Sequence, residues 1–394
     1  MFQPKQFYRE LEELLQRSPE IALTDEWYPG LAARIVERFG ATLQLGDWRL
    51  YEEGDDGFDL QGVAPSRGAD PQPVDDELPA DSPALGAILE NGTYLFHAGQ
   101  WHPGGSDTGA ILLESEPRRV IVFGLEPGWQ RDDVDFTLNT VRNALNLRIR
   151  LESLHFDLEQ AAEIQRSLLP RTVPRFPGYT LAARSIPAER VGGDFFDFLP
   201  DSDPGTLLFA IGDASGHGLG AALMARDMVT GLRMGAVGAL KITEIVRRLN
   251  RVLSRSRLAS RFVSLFLGEL GADGDLHYVN AGHPHAFIVG PGATRRLGVG
   301  GTVVGPLDDA NFRGGWARIE PGETLVVVTD GILEQPDDHG REFGEAAVER
   351  RVRDLAGKPA PEVLDALFGA AREHGGSRPW TDDTSAILVV RNPA

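Results

Sequence analysis

The chain contains no cysteine, and lysine occurs only three times in its 394 residues, at Lys5, Lys241 and Lys358. The absence of cysteine excludes disulfides, zinc–thiolate sites, iron–sulfur clusters and a thiol nucleophile. No apolar run reaches the roughly 18 residues that a membrane-spanning helix needs, and the first residues are too charged for a secretory signal. We therefore expect a cytoplasmic protein without a membrane partner.

Positive charge is also scarce. The chain has 39 Lys and Arg residues against 58 Asp and Glu residues, which gives a formal net charge of −19. Because such a chain repels the phosphates of nucleic acids, a nucleic-acid partner is not expected. The fractions of hydrophobic residues (42%) and charged residues (25%) are typical of a globular protein, and the length allows two or three domains.

Three regions of the chain differ in pattern. Residues 1–131 combine helical segments with short strands, such as residues 94–99 and 118–125, which predicts a small α+β domain of the sensor type. Residues 132–169 are predicted to form one long linker helix that ends before Pro170. Residues 170–394 alternate strands and helices and form a separate, larger domain.

The linker helix carries two apolar stripes. The first half has Val134, Phe136, Leu138, Val141 and Leu145. In the second half a seam with alternating spacings of four and three is formed by Leu147, Leu151, Leu154, Leu158, Ala161 and Leu168, with the polar Gln165 in the remaining seam position. Two interpretations remain open: the helix packs on its own domain, or it forms a coiled coil that makes a homodimer.

The larger domain is predicted to be a β-sandwich flanked by helices. Strands are expected over residues 191–199, 206–213, 262–270, 276–280, 285–289, 324–329 and 384–390. Helices are expected over residues 219–236, 241–257 and 360–373. Because short turns join most of the strands, we expect antiparallel pairing.

The first two of these strands predict a hairpin around the turn at residues 201–205. A turn centred between Asp203 and Pro204 places Asp194 opposite Asp213, Phe196 opposite Ile211 and Phe198 opposite Phe209, and directs Asp197 to the other face. Two carboxylates that face each other beside an apolar core are tolerable only if one is protonated or a cation lies between them.

Further carboxylates lie at strand ends. Asp330 follows the apolar run of residues 325–328, and Asp382 and Asp383 precede the last strand. Each could simply cap a turn. A shared site built from carboxylates alone would select hard cations such as Mg²⁺ or Mn²⁺, and the carbonyl of Ala214, in a glycine-rich loop, could add a ligand. We interpret His217 and the histidines of NAGHPH (280–285) as structural rather than catalytic residues.

Six segments carry a family resemblance: AAEIQRSLLP (161–170), VGGDFFDF (191–198), IGDASGHGLGAALMA (211–225), NAGHP (280–284), VVTDGILE (327–334) and DDTSAILV (382–389). In these segments and their order the chain resembles the metal-dependent serine/threonine protein phosphatases of the PPM (type-2C) family. It looks most like the bacterial branch that includes the sporulation stage II phosphatase and the stress-response partner-switching phosphatases.

The resemblance implies an α/β/β/α sandwich with two Mg²⁺ or Mn²⁺ ions between its sheets. Asp213 would bridge both ions, and the carbonyl of Ala214 would complete one coordination sphere. Asp330 and Asp382 would be direct ligands, Asp194 a ligand directly or through water, and Asp383 a further candidate. Asp213 and Asp194 would thereby be the catalytic carboxylates.

The implied reaction is hydrolysis of phosphoserine or phosphothreonine by a hydroxide held between the ions, with an anti-sigma-factor antagonist as the phosphoprotein substrate. Eukaryotic relatives grip the phosphate with an arginine ahead of the first Asp. Arg184 and Arg190 occupy that region here, but the bacterial branch commonly lacks this clamp, so we interpret both as surface residues.

The N-terminal region, which would regulate the reaction, is similar to a GAF-type sensor, although a PAS-like or unrelated module would show the same pattern. Two other functions remain open: a non-catalytic, phosphatase-like scaffold and a metal-dependent phosphodiesterase or nuclease.

Overall fold

The computed structural model describes residues 7, 9, 11–13, 26–64, 75–101, 105–199, 205–238, 240–255, 262–283 and 285–393. The chain divides into two compact units, Met1–Asp157 and Leu158–Ala394. Residues 201–204 of the expected hairpin turn lie outside the described ranges. Within those ranges, no helix combines the length and the apolar character needed to cross a membrane.

The first unit is built on one antiparallel sheet. Its described elements are, in chain order, α1 (Trp27–Leu43), β1 (Leu45–Glu53), β2 (Gly57–Ala64), β3 (Glu77–Pro79), α2 (Pro83–Asn91), β4 (Thr93–Phe96), β5 (Thr108–Leu113), β6 (Arg119–Leu125) and α3 (Arg131–Leu168), the last of which continues into the second unit. The six strands are ordered β3-β2-β1-β6-β5-β4. The α+β character predicted for this region is confirmed.

Both faces of this sheet are covered, because its strands alternate apolar residues toward opposite sides. Ile121 and Phe123 of β6 pack in one core with α1 and the start of α3. Val120 and Val122 of the same strand pack in the other core with α2. The sheet is therefore enclosed between two helical layers.

Helix α3 is the predicted linker helix, and its two stripes differ in burial. Val134, Leu138, Val141 and Leu145 are fully buried in the core of the first unit, although Phe136 of the same stripe is 43% exposed. Leu147, Leu151 and Leu154 are 61%, 58% and 60% exposed. The first half of the helix thus packs on its own domain, whereas Leu147, Leu151 and Leu154 of the second stripe are exposed to solvent.

The second unit contains eleven strands and five helices after the end of α3, counted over the described residues. They are β7 (Tyr179–Ile186), β8 (Phe195–Leu199), β9 (Thr206–Ala214), α4 (Leu219–Val237), α5 (Ile242–Ser254), β10 (Val263–Gly271), β11 (Asp275–Ala281), β12 (His285–Val289), β13 (Thr294–Arg296), β14 (Gly300–Gly301), β15 (Gly315–Arg318), β16 (Thr324–Val328), α6 (Asp330–Leu333), α7 (Glu345–Asp354), α8 (Ala360–Gly375) and β17 (Thr384–Arg391).

Two sheets form the middle layers of this unit. One has the order β14-β11-β10-β9-β8, with β15 beside β11, and the other has the order β13-β12-β16-β17-β7. Apolar side chains of both sheets meet in a shared core. Helices α4 and α5 cover the outer face of the first sheet, and α6, α7 and α8 cover that of the second. The predicted α/β/β/α sandwich is confirmed.

Candidate metal centre

The β8–β9 hairpin has the register that the sequence predicts. Phe196 pairs with Ile211, and Phe198 pairs with Phe209, on the side that faces the other sheet. Asp197 points to the opposite side, where its Oδ2 accepts a hydrogen bond from Nε of Arg233 at 2.7 Å. Regular pairing starts at Phe195, so Asp194 lies one residue before the ladder and Asp213 near its end.

Asp194 is only 4% exposed, and its two oxygens differ. Thr329 donates a hydrogen bond from Oγ1 to Oδ2 of Asp194 at 2.7 Å. No hydrogen-bond partner of Oδ1 is found among the described residues. Burial and the negative charge of Asp213 raise the pKa of Asp194 well above its usual value. A buried carboxylate with one unsatisfied oxygen is the environment that a cation would stabilise.

The charges of the other carboxylates affect the pKa of Asp213. Burial raises the pKa of Asp213 to about 7, and the charges of Asp330, Asp382 and Asp383 contribute to this increase. Asp330 begins α6 two residues after the end of β16, and Asp382 lies two residues before β17. Because Thr329 donates from its backbone amide to the carbonyl of Ser385 at 3.0 Å, the adjoining ends of these two strands are held together.

The carbonyl of Ala214 faces the loop that carries Asp194. A Cβ atom at Gly193 would lie 2.4 Å from the Ala214 carbonyl oxygen and 3.1 Å from Oδ1 of Asp213. The amide of Ala214 donates to the carbonyl of Gly193 at 3.2 Å. Only glycine permits this approach, so the loop before β8 and the end of β9 form one compact site.

The donor set fits hard divalent cations. It consists of carboxylate oxygens and one backbone carbonyl, which are the ligands that Mg²⁺ and Mn²⁺ prefer. Burial and, to a smaller extent, the charges of neighbouring carboxylates raise the pKa values of Asp194 and Asp213, and a bound cation would offset both effects. In the part of the chain that the structure describes, however, no group of three or more His, Asp or Glu side chains is already arranged around a single ion position. Ion binding would therefore have to draw the carboxylates together.

The two arginines considered for phosphate binding have other partners. Arg184 forms an ion pair with Asp365 of α8 and lies over the ring of Phe368, 5.0 Å from its centroid. Arg190 donates to Glu159 at 3.1 Å. Both contacts agree with the interpretation of these arginines as surface residues.

The histidines also have structural contacts. His283 is 1% exposed, its Nδ1 lies 3.0 Å from Oγ of Ser264, and its amide donates to Oδ1 of Asn280 at 2.8 Å. Ser264 pairs with Asp213 across β10 and β9. His217 is largely exposed, with Nδ1 3.7 Å from Glu189. His283 thus braces the strand beside the site, as the sequence interpretation expected.

Sequence reasoning missed two residues that position the site. Thr329 connects Asp194 of one sheet to Ser385 of the other, since its Oγ1 also accepts from the Ser385 amide at 2.9 Å. Gln165, near the end of α3, accepts a hydrogen bond from the Gly192 amide at 3.0 Å and donates from Nε2 to the Gly192 carbonyl. The positions of these residues in the sequence could have indicated their roles, because Thr329 directly precedes Asp330 and Gln165 is a polar residue in an apolar heptad.

The chain is similar in sequence to several known proteins. The family described as stage II sporulation protein E matches residues 203–392. Protein IcfG of Synechocystis is 28% identical over 285 residues, which cover 64% of this chain and 44% of that protein. The phosphoserine phosphatase RsbU of Bacillus subtilis is 26% identical over 192 residues, or 48% of this chain and 57% of RsbU. The chain therefore spans about half the length of these two relatives.

A solved structure extends the likeness to the fold. The SiaA-PP2C domain of Pseudomonas aeruginosa is 25% identical, with a TM-score of 0.53, and the match covers 61% of this chain and 98% of that domain. The matched share is close to the share of the chain that the second unit, Leu158–Ala394, occupies. Residues 203–392 are therefore similar in sequence to the stage II sporulation protein E family, and the second unit has the fold of a PP2C-type phosphatase.

Proposed function

We propose that the second unit is a metal-dependent phosphatase that hydrolyses phosphoserine or phosphothreonine on a regulatory protein. The observation that carries the proposal is the proximity of four carboxylates: the charges of Asp330 and Asp382 contribute to the raised pKa of Asp213, and the charge of Asp213 contributes to the raised pKa of Asp194. The PP2C-type fold supports it, as does the relative from Bacillus subtilis, which is a phosphoserine phosphatase.

Each residue has a defined part in this reaction. When bound, two Mg²⁺ or Mn²⁺ ions supply the charge that neutralises the phosphoryl oxygens and activates the attacking water. Asp213 would help to hold both ions, and Asp330, Asp382 and the Ala214 carbonyl would complete the ligand set. Asp194 would add Oδ1, for which the described residues provide no hydrogen-bond partner. Thr329 keeps Asp194 in place through Oδ2. No covalent intermediate is needed, which suits a chain without cysteine.

The phosphoprotein that best fits this assignment is an anti-sigma-factor antagonist, because the sequence resembles the partner-switching branch.

One assay tests the reaction class: the full chain is incubated with p-nitrophenyl phosphate, a phosphoserine peptide and a phosphodiester, each with Mn²⁺ and with chelator. We expect Mn²⁺-dependent hydrolysis of the two monoesters. Hydrolysis of the diester alone would identify a phosphodiesterase, and no hydrolysis at all would favour a non-catalytic scaffold.

We further propose that the first unit is a sensor of the GAF type that acts through α3, because α3 starts on its sheet and ends at the metal loop. Within the second unit, Gln165 binds Gly192, and Arg233 of α4 donates to the Leu168 carbonyl at 2.7 Å. These bonds connect the end of α3 to the loop that carries Asp194 and to the hairpin beside it.

Gln165→Ala tests this connection. Loss of both bonds to Gly192 frees the metal loop, so the Mn²⁺ concentration for half-maximal activity should rise about three- to tenfold, as expected for one or two lost hydrogen bonds. A Mn²⁺ titration of p-nitrophenyl phosphate hydrolysis measures the shift. Glu163→Ala, at an exposed position on the same helix, is the matched control. Equal Mn²⁺ dependence of all three proteins would contradict control through α3.

The exposed stripe Leu147, Leu151 and Leu154 is proposed to pair with the same stripe of a second copy, since its spacing matches a coiled-coil seam. Leu151→Glu should raise the dimer dissociation constant at least about a hundredfold, because it places a charge in an apolar seam on both chains. Light scattering would then report the 42.8 kDa monomer. Ser153→Glu introduces the same charge at an exposed position off the seam and should leave the dimer intact. A monomeric wild-type chain would refute the pairing.

A further inference from the structure

Asp383 differs from its neighbour Asp382 in its burial and in the hydrogen bonds that its side chain accepts. Its Oδ1 accepts a hydrogen bond from the Ala188 amide at 2.9 Å, and its Oδ2 accepts one from the Gly193 amide at 2.5 Å. Asp383 is 7% exposed, whereas Asp382 is exposed. Both oxygens of Asp383 are thus engaged by backbone amides of the segment that leads to Asp194.

The backbone at Gly192 lies directly against the same carboxylate. A Cβ atom at this position would lie 2.3 to 2.6 Å from the three atoms of the Asp383 carboxyl group. On its other side, Gly192 exchanges two hydrogen bonds with the side chain of Gln165. The two glycines before Asp194 are therefore held from opposite directions, by one helix and by the residue just ahead of β17.

This segment needs such support. Residues 187–194 form no regular helix or strand, yet they deliver a buried carboxylate next to Asp213 and the Gly193 backbone next to the Ala214 carbonyl. Like charges at the site push Asp194 and Asp213 apart until ions bind. A carboxylate that accepts two backbone amides is a strong and directional anchor for a loop.

We propose that Asp383 is a positioning residue and not a metal ligand: both of its oxygens fix residues 188–193, and this places Asp194 and the Ala214 carbonyl for ion binding. The expected effect of Asp383 on catalysis rests on the proposed function. The anchoring of residues 188–193 does not, because the hydrogen bonds of Asp383 are present in the metal-free chain. It assigns the two adjacent aspartates different tasks, with Asp382 as the ligand and Asp383 as the brace.

Hydrogen–deuterium exchange of the full chain in chelator tests the anchoring without any activity. Asp383→Asn keeps the size of the side chain but replaces one acceptor by a donor, and Asp383→Ala removes both acceptors. Peptides that cover residues 187–194 should exchange about tenfold faster in Asp383→Asn, and faster still in Asp383→Ala, because lost amide bonds allow local opening. Asp382→Asn is the matched control and should exchange like the wild type.

A Mn²⁺ titration of p-nitrophenyl phosphate hydrolysis adds the functional readout. Asp383→Asn should need about tenfold more Mn²⁺ for half-maximal activity and recover most of the rate at saturation, whereas Asp382→Asn should not recover. If exchange at 187–194 is unchanged in both Asp383 variants while their Mn²⁺ requirement rises, Asp383 is a ligand and the proposal is wrong. Should Asp383→Ala fail to fold, Asp383→Asn alone decides. If the wild type hydrolyses no phosphate ester, the proposed function fails, but the exchange experiment still decides the role of Asp383.

Discussion

Asp213→Asn should lower the Mn²⁺-dependent hydrolysis of p-nitrophenyl phosphate by about 10³-fold or more while the chain stays folded. Asp213 lies near the end of β9, where the carboxylates of Asp330, Asp382 and Asp383 all act on it. As the expected bridge between two ions it contributes to both, and the loss of several kcal/mol of metal-derived stabilisation of the transition state corresponds to about this factor.

The fold should tolerate this change because asparagine has the same shape and removes one charge from a repulsive cluster. Asp330→Asn should behave in the same way. Asp227→Asn is the matched control, since Asp227 is an exposed aspartate of α4. Initial rates at saturating Mn²⁺, together with circular dichroism, measure both parts of the prediction. Full activity of Asp213→Asn in Mn²⁺ would show that the metal site is elsewhere.

The metal-free protein should lose stability as the pH rises from about 4 to about 7. Burial raises the pKa of Asp213 to about 7, and the pKa of Asp194 is raised as well. Between the usual pKa of an aspartate and this raised value, the native state keeps a proton that the unfolded state has released. Stability therefore falls with increasing pH across this interval and reaches its lower limit above about pH 7.

The effect should be large enough to measure by denaturant unfolding in chelator. The increase of the Asp213 pKa to about 7 corresponds to a change of at most about 4 kcal/mol in the free energy of unfolding. Because neighbouring carboxylates share the protons, we expect a contribution of about 2 kcal/mol or more from Asp213. Asp213→Asn should be more stable than the wild type at pH 8 and should show a flatter pH dependence. Subtracting the free energy of unfolding of Asp213→Asn from that of the wild type at each pH cancels the contribution of the nine histidines, because both proteins contain them.

Two further results complete this experiment. Mn²⁺ should raise the stability of the wild type at pH 8 far more than that of Asp213→Asn, because ions that bind only the native state stabilise it. Asp227→Asn should retain the wild-type pH dependence. Parallel curves for the wild type and Asp213→Asn in chelator would mean that Asp213 is not held in a repulsive, buried cluster.

Much of the second unit could be predicted from local sequence. The β8–β9 register followed from the turn and from alternating apolar residues, since a slip of one residue would have moved every phenylalanine to the wrong face. The end of β16 and the start of β17 were predictable because Asp330 follows one apolar run and Asp382 and Asp383 precede another. Elements with weak apolar patterns were missed. Most residues of β7 are only partly buried, and α7 buries only Val348 and Val352.

The sequence pattern and the tertiary structure each define a different property of α3. Its length and its two stripes were visible in the sequence, but periodicity cannot tell whether an apolar stripe covers a core or faces solvent. The structure shows that Val134 to Leu145 cover the sheet of the first unit and that Leu147 to Leu154 do not. The same limit applies to Phe136, which shares the stripe but not the burial.

The sequence by itself determined which residue types are present at the strand ends, and therefore that oxygen ligands and hard cations are the available chemistry. Only the tertiary structure shows which groups surround each of them. Asp383 binds amides about 190 positions earlier in the chain, and Thr329 binds a carboxylate 135 positions earlier. Neighbouring aspartates look alike in a sequence, because a carboxylate acts as a ligand or as a brace according to the groups that folding places around it, and those groups come from distant segments.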